Sequence, residues 1–298
     1  MFNFGNEGGE TFEMEAAMQK ALKKYFPIFV LPTLLAFVVS FAIPFVLGFY
    51  LSFNSFTTVI DAEWVGFDNY VKAFTSNNEF INALWFTIQF TTVSVITVNI
   101  FAFALGLALT RGIQGTNIFR TIFFMPNLIG GIVLGYIWQI IINGLLYQWE
   151  VTLTFDPKYG FLGLFVLMNW QLIGYMMIIY IAGIQSIPAE LTDAARVDGA
   201  SPWQYLWNVI IPSVMPSVTI CLFLTLTNSF KLFDQNLALT NGAPSKKTAM
   251  LALDIYNTFY GKTNWEGVGQ AKAVVFFIIV ALIAFIQLMI TRRKEVEA

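Results

Sequence analysis

Pro188-Ala-Glu-Leu-Thr-Asp193-Ala-Ala-Arg-Val-Asp198-Gly-Ala-Ser-Pro202-Trp-Gln-Tyr-Leu-Trp-Asn-Val-Ile-Ile-Pro212 is a long polar interruption in the second half of a very apolar chain. Pro188 suits a first helical turn, the acids after it suit the positive end of the helix dipole, and Gly199 is the residue type that closes a helix. Ser201-Pro202 supplies a fresh cap and first turn, so a second short helix is predicted from Pro202 to about Val209, until Pro212 redirects the chain. Two short helices at a right-angled joint make a hand, not a membrane span.

Working outward, the composition is that of a membrane. Of 298 residues 57% are hydrophobic and 11% charged, 31 are Phe, and the mean hydropathy is +0.68. Such a chain is predicted to be an all-α integral membrane protein. A net charge of -2 points to neither nucleic acid nor a polybasic anchor. The single cysteine, Cys221, excludes an intramolecular disulfide framework and reads as a small apolar packing residue. There is no histidine, which removes the commonest metal ligand and proton shuttle, and no metal site is expected.

Uncharged runs define the spans. Tyr25 to Ile60 holds no charge over 36 residues, with Pro27, Pro32 and Pro44 set to bend the helix within it. Six spans are predicted, over about 26–53, 82–110, 121–143, 160–185, 213–233 and 268–291, with the hand at 186–212. Gly131 and Gly135 form a small-xxx-small pair that lets another helix approach closely. Met250 to Tyr260 is read as a short surface helix. Residues 1–25 are polar and lack the apolar core and cleavage site of a signal peptide; Glu13 to Tyr25 is either an amphipathic helix on the membrane face or a solvated tail. Gly261-Lys262-Thr263 imitates the end of a phosphate-binding loop, but Tyr256 stands where the first glycine is required.

Lys20, Lys23, Lys24, Arg111, Arg120, Arg196, Arg292, Arg293 and Lys294 fall on one side of a six-span chain. By the positive-inside rule that side, with both termini and the hand, is the cytoplasm.

The residues of the hand also carry a family resemblance. Asp193-Ala194-Ala195, three residues, Gly199, nine residues and Val209-Ile-Ile-Pro212 resemble the EAA loop of ABC-importer permeases, whose pattern is Glu-Ala-Ala, three residues, Gly, nine residues, Ile-x-Leu-Pro. Asp193 departs from the family's Glu, as Val209 and Ile211 depart from its Ile and Leu. Trp64-Val-Gly-Phe-Asp-Asn-Tyr70 resembles the first external loop of sugar-importer permeases, and Leu239-Thr-Asn-Gly-Ala-Pro244 resembles their Thr-x-Gly-Gly-Pro turn with Ala243 in place of the second glycine. The resemblance implies a type I ABC importer permease fold of the maltose and glycerol-3-phosphate type, in the plasma or inner membrane. It implies that Asp193, Ala194, Ala195, Asp198 and Gly199 form a coupling helix docking on a partner ATPase, which binds ATP and Mg. It further implies a different second permease, two ATPase subunits, an external solute-binding protein and a sugar or oligosaccharide as solute.

A sugar needs hydrogen-bond partners and apolar faces near mid-membrane. Gln171 and Tyr175, four residues apart beside Trp170 and Gly174, and Asn228, Lys231 and Gln235 on the next span, with Ser229 and Asp234, are the candidates. Lys231 and Asp234 are read as the only charges near a span interior; a functional pair and a plain i,i+3 ion pair both fit. A peptide or phosphonate importer is the alternative, since all importers of this kind share the hand. A proton-coupled secondary transporter fits less well because the spans hold almost no acids, and an enzyme lacks a nucleophile, acid-base pair or metal set.

Overall fold

The computed structural model describes residues 25–76 and 78–293, so the alternatives for Glu13 to Tyr25 lie, apart from Tyr25, outside the described residues. Helix α1 is Tyr25–Leu51, and its most apolar stretch is not buried by the rest of the chain. Phe29, for example, is 77% exposed, a surface left for lipid or a neighbouring membrane subunit to cover. A two-residue ladder joins β1 (Asn54–Ser55) to β2 (Glu63–Trp64), with Asn54 opposite Trp64 and Ser55 opposite Glu63. Short α2 (Asp68–Thr75) is tied to the end of α1 because Asn69 Nδ2 donates to the Ser52 and Asn54 carbonyls at 3.0 and 2.8 Å.

Helix α3 (Glu79–Leu109) is 31 residues long, about 46 Å, enough to cross the hydrocarbon and both interfaces. Next come α4 (Thr116–Phe124), a 3-10 turn at Met125–Leu128 around Pro126, and α5 (Gly131–Leu146). The expected third span over 121–143 is therefore broken. Pro126 removes a backbone donor, and the tighter turn re-satisfies the neighbouring carbonyls. Helix α6 (Pro157–Gln185) starts with Pro157 at its first turn and the Asp156 carboxylate accepting from Lys158 N at 2.8 Å.

The hand follows as α7 (Ala189–Val197) and α8 (Pro202–Ser213), then α9 (Met215–Phe230), α10 (Asp234–Leu239), α11 (Leu251–Gly261) and α12 (Glu266–Arg292). Pro212 was expected to redirect the chain; instead α8 runs through it and the 68° bend falls at Val214. The reason is a π-turn at Leu206–Ile210, where Ile211 N–H reaches back to the Leu206 carbonyl and opens the helix ahead of the proline ring. The same device precedes Pro44, where a π-turn at Val38–Ala42 ends with Ile43 N–H on the Val38 carbonyl. Five helices are long and apolar enough to span a membrane among the described residues, and the bent pair α8 and α9, taken as one broken span, brings the number to six.

The core lies between α3, α6 and α9. Phe90, Val98, Ala102, Leu167, Met176 and Tyr180 interlock there. A polar ladder crosses it: Thr97 Oγ1 donates to Asn169 Oδ1 at 2.8 Å, Tyr180 OH to Asn99 Oδ1 at 2.8 Å, and Asn99 Nδ2 to Thr225 Oγ1 at 3.3 Å. Lipid supplies no hydrophobic drive between helices, so such contacts, worth about 0.6 kcal/mol each, and close packing hold the bundle. Buried Cys221 donates weakly to the Met176 carbonyl at 3.7 Å, consistent with a packing residue.

Close packing requires missing side chains. At Gly174 on α6 a Cβ would overlap the Phe123 carbonyl, which locks α4 against α6. Gly131 and Gly135 on α5 receive α10: added Cβ atoms would stand 2.7 Å from Asp234 Cβ and 2.6 Å from Ala238 Cβ.

One charge revises the reading of the spans. Lys272 lies inside α12 and is 3% exposed; its ammonium donates to Asp254 Oδ2 at 2.7 Å and Thr258 Oγ1 at 2.8 Å on α11. Lys231 and Asp234 are thus not the only charges near a span interior. Nearby, Glu79 at the start of α3 accepts from Lys246 at 3.0 Å and Lys262 at 2.9 Å. These two sets clamp α11 and the preceding loop onto α3 and α12.

Gly174→Ala should force a backbone shift costing about 1–3 kcal/mol, visible as a lower melting temperature of the purified protein in detergent; an unchanged melt would refute the contact. Lys272→Met should cost about 3–5 kcal/mol by stranding Asp254, while the double variant Lys272→Met with Asp254→Leu recovers most of it. Equal melts for the single and double variants would show that the pair is not coupled.

Candidate functional site: a polar cavity and the hand

Helices α6 and α9, joined by the hand, present their polar residues to one small cavity of about 140 Å³. Gln171, Asn228, Lys231 and Gln235 line it together with Asn127, Met168, Leu172 and Leu232. Gln235 Nε2 donates to Gln171 Oε1 at 2.8 Å, and Asn228 Nδ2 donates to the Leu224 carbonyl at 2.8 Å. Each amide keeps further donor or acceptor capacity. Lys231 caps the end of α9 and has no carboxylate within ion-pair distance among the described residues. The i,i+3 pair with Asp234 is not formed.

Three other candidates lie elsewhere. Tyr175, on the Gln171 face of α6, turns its ring toward Phe124, with centroids 6.4 Å apart. Ser229 is fully buried and its Oγ has no hydrogen-bond partner. Asp234 is exposed and seats its Cβ against Gly131. Asn127, conversely, enters the cavity although the sequence reading passed over it. Its signal was Pro126-Asn127, a turn pair inside an apolar run. Asn236 is another silent residue. Its side chain donates to the Thr248 carbonyl at 2.8 Å and accepts from Met250 N at 2.9 Å, holding the Leu239 to Pro244 turn closed.

At the other end of α6 the hand is built by local chemistry. α7 ends in a Schellman motif: Ala200 N–H bonds the Ala195 carbonyl at 3.0 Å and Gly199 N–H the Arg196 carbonyl at 3.1 Å. This geometry needs a left-handed residue, and Gly199 has φ +69° with open space around it. α8 then opens with a capping box, Ser201 N–H donating to Gln204 Oε1 at 2.8 Å and Gln204 N–H to Ser201 Oγ at 3.3 Å. The Thr192 and Tyr205 hydroxyls, 2.8 Å apart, tie the two helices together.

Asp193, Ala194, Asp198 and Gly199 are exposed and Ala195 is half-buried. Asp193 meets Arg196 at 3.5 Å with both side chains mostly in solvent, a pair worth about 0.3–0.5 kcal/mol at most. These acids therefore do little for the chain's own stability. Lys262, in the loop that imitates a phosphate-binding motif, is engaged by Glu79 and lies over the Trp265 ring at 4.6 Å.

The chain matches the family described as "Binding-protein-dependent transport system inner membrane component" over residues 99–296. The probable starch degradation products transport system permease protein of Thermoanaerobacterium thermosulfurigenes is 41% identical over 281 residues, covering 92% of this chain and 96% of the relative. The multiple sugar-binding transport system permease protein of Streptococcus mutans is 30% identical, covering 94% and 99%. Among solved structures, a bacterial ABC transporter involved in the import of the acidic polysaccharide alginate superposes with a TM-score of 0.77 at 21% identity, covering 93% of this chain and 99% of that one. The fold is that of a type I ABC importer permease, as the hand implied. The chain belongs to the family of inner membrane components of binding-protein-dependent transport systems, whose members are transport subunits rather than enzymes.

Proposed function

We propose that the chain is the permease subunit of an ATP-driven importer that carries a sugar or oligosaccharide by alternating access, with the hand and both termini on the cytosolic side. The observation that carries this reading is the cavity of Gln171, Asn228, Gln235 and Asn127, contributed by the two helices that the hand connects together with α10 and the turn around Pro126. Amide side chains offer donors and acceptors suited to sugar hydroxyls. The names of the starch-product, multiple-sugar and alginate relatives support a carbohydrate solute. At about 140 Å³ the cavity falls short of the ~300 Å³ at which ligand pockets begin, so it forms one wall of a site completed by a second, different permease.

Lys231 favours a narrower alternative, a solute with a carboxylate or phosphate substituent, because it lines the cavity with no carboxylate within ion-pair distance among the described residues. A peptide or phosphonate remains the alternative outside carbohydrates. ATP and Mg are held by two partner ATPase subunits, and an external binding protein delivers the solute.

Coupling runs through Asp193, Ala194, Ala195, Asp198 and Gly199. Small Ala194 and Ala195 allow close approach, and the two solvated acids are available to basic groups of the ATPase. Closure of the ATPase pair moves the hand as one body, since its caps and the Thr192–Tyr205 contact keep α7 and α8 together. α6 and α9 then shift about the cavity.

Gly199→Val should uncouple transport while membrane insertion stays intact, because a β-branched residue at φ +69° carries about 1–3 kcal/mol of strain; Gly199→Asn, which tolerates that conformation, should retain uptake. Normal solute uptake by the valine variant in vesicles would refute the coupling role. In the intact complex Gln171→Ala, Asn228→Ala and Lys231→Ala should change solute-stimulated ATPase more than basal ATPase, measured against a panel of neutral, acidic and phosphorylated sugars. Equal changes in both activities would return these side chains to packing.

A further inference from the structure

A second cavity, of about 820 Å³, lies between the hand and the end of α3. Arg111 and Arg196 both line it, and no Asp or Glu does. Among the described residues Arg111 has no carboxylate within ion-pair distance, and Arg196 has only the solvated contact with Asp193 at 3.5 Å. Leu107, Ile184, Leu206 and Ile210 supply an apolar wall, and Thr110, Gln185, Thr192, Ser201 and Tyr205 neutral polar groups. The cavity thus sets two positive charges beside both hydrocarbon and neutral hydrogen-bonding groups.

Its surroundings fix the depth at which it sits. α8 and α9 together make one bent crossing in which α8 leaves the line of α9 by 68°, so α8 runs nearer to the membrane plane than to its normal. Trp203, on the cavity rim, and Trp207 form an edge-to-face pair with centroids 5.7 Å apart and are 67% and 53% exposed. Exposed tryptophans on an in-plane helix occupy the headgroup layer. Arg111, two residues beyond the last residue of α3, lines the same cavity as Trp203.

We propose that this cavity binds the headgroup of an anionic phospholipid, with Arg111 and Arg196 holding the phosphate and the apolar wall receiving the glycerol and first acyl carbons. Guanidinium forks match phosphate geometry, and basic pockets between membrane helices take anionic headgroups. Free phosphate would satisfy the arginines and leave the apolar wall exposed. An acidic protein surface would leave the tryptophan pair unexplained. A lipid held here contacts both the end of α3 and the hand, so the charge of the bilayer enters the equilibrium that the hand controls. The site rests on the membrane crossing of α9 and not on the identity of the solute.

The intact complex, purified in mild detergent and titrated with phosphatidylglycerol or phosphatidylcholine, is read by native mass spectrometry for bound lipid. Wild type should retain phosphatidylglycerol over phosphatidylcholine. Arg111→Gln and Arg196→Gln should each weaken retention of phosphatidylglycerol about fivefold, the loss expected for one basic residue near a membrane surface. Lys247→Gln, an equal charge change on an exposed loop residue, should not. Arg111→Lys, which keeps the charge, should retain most of the lipid and guards against a folding defect in the glutamine variant. Equal retention in wild type and both arginine variants overturns the proposal. So does displacement of the lipid by inorganic phosphate, which marks a free-anion site, and so does loss of the ATPase with lipid binding unchanged, which marks a protein contact.

Discussion

The bend at Val214 is the constraint on which the rest depends. α9 is 16 residues long, about 24 Å, and cannot cross a hydrocarbon core of about 30 Å without the helix before it. The chain therefore extends the crossing with α8 and turns that helix by 68° toward the membrane plane. Backbone carbonyls in lipid must find partners, so the turn is distributed: a π-turn ahead of Pro212, the Ser213 hydroxyl on the Val209 carbonyl at 2.7 Å, and a fresh helix from Met215. The hand is in this way continuous with a membrane helix rather than hung from it.

The other end of the bundle is held differently. Glu79 with Lys246 and Lys262, and Lys272 with Asp254, anchor α11 by charge. Since α3 carries Glu79 at its start and ends beside Arg111, the ion clamp and the hand sit at opposite ends of a helix about 46 Å long. One end is fixed by buried and half-buried ion pairs, and the other by caps and turns with few contacts to the core. The two faces therefore differ in local stability, with the ion-paired end the more strongly held.

Much of this was legible in the sequence, because uncharged runs, proline brackets and the spacing from Asp193 to Pro212 are local signals. Gly199 and Ser201 behave as their types require, and Gly131 and Gly135 receive a helix as small residues do. What escaped depended on partners distant in sequence. Lys272 looks like an error in an apolar span until Asp254 is beside it, and Asn127 matters only because α6 and α9 meet over its turn. Pro212 does not itself redirect the chain, because a π-turn ahead of it lets the helix continue through the proline and the bend falls at Val214. Gln171 and Tyr175 share a helical face, yet Phe124 claims one and the cavity the other.

The central claim is that the hand faces the compartment where ATP is hydrolysed. In a Cys221→Ala background, Asp198→Cys would be treated with a membrane-impermeant maleimide in intact cells and in inside-out vesicles. The account predicts labelling in the vesicles and none in the cells, since Asp198 is exposed at the joint of the hand. Labelling of intact cells from outside would put the hand on the wrong face and contradict it.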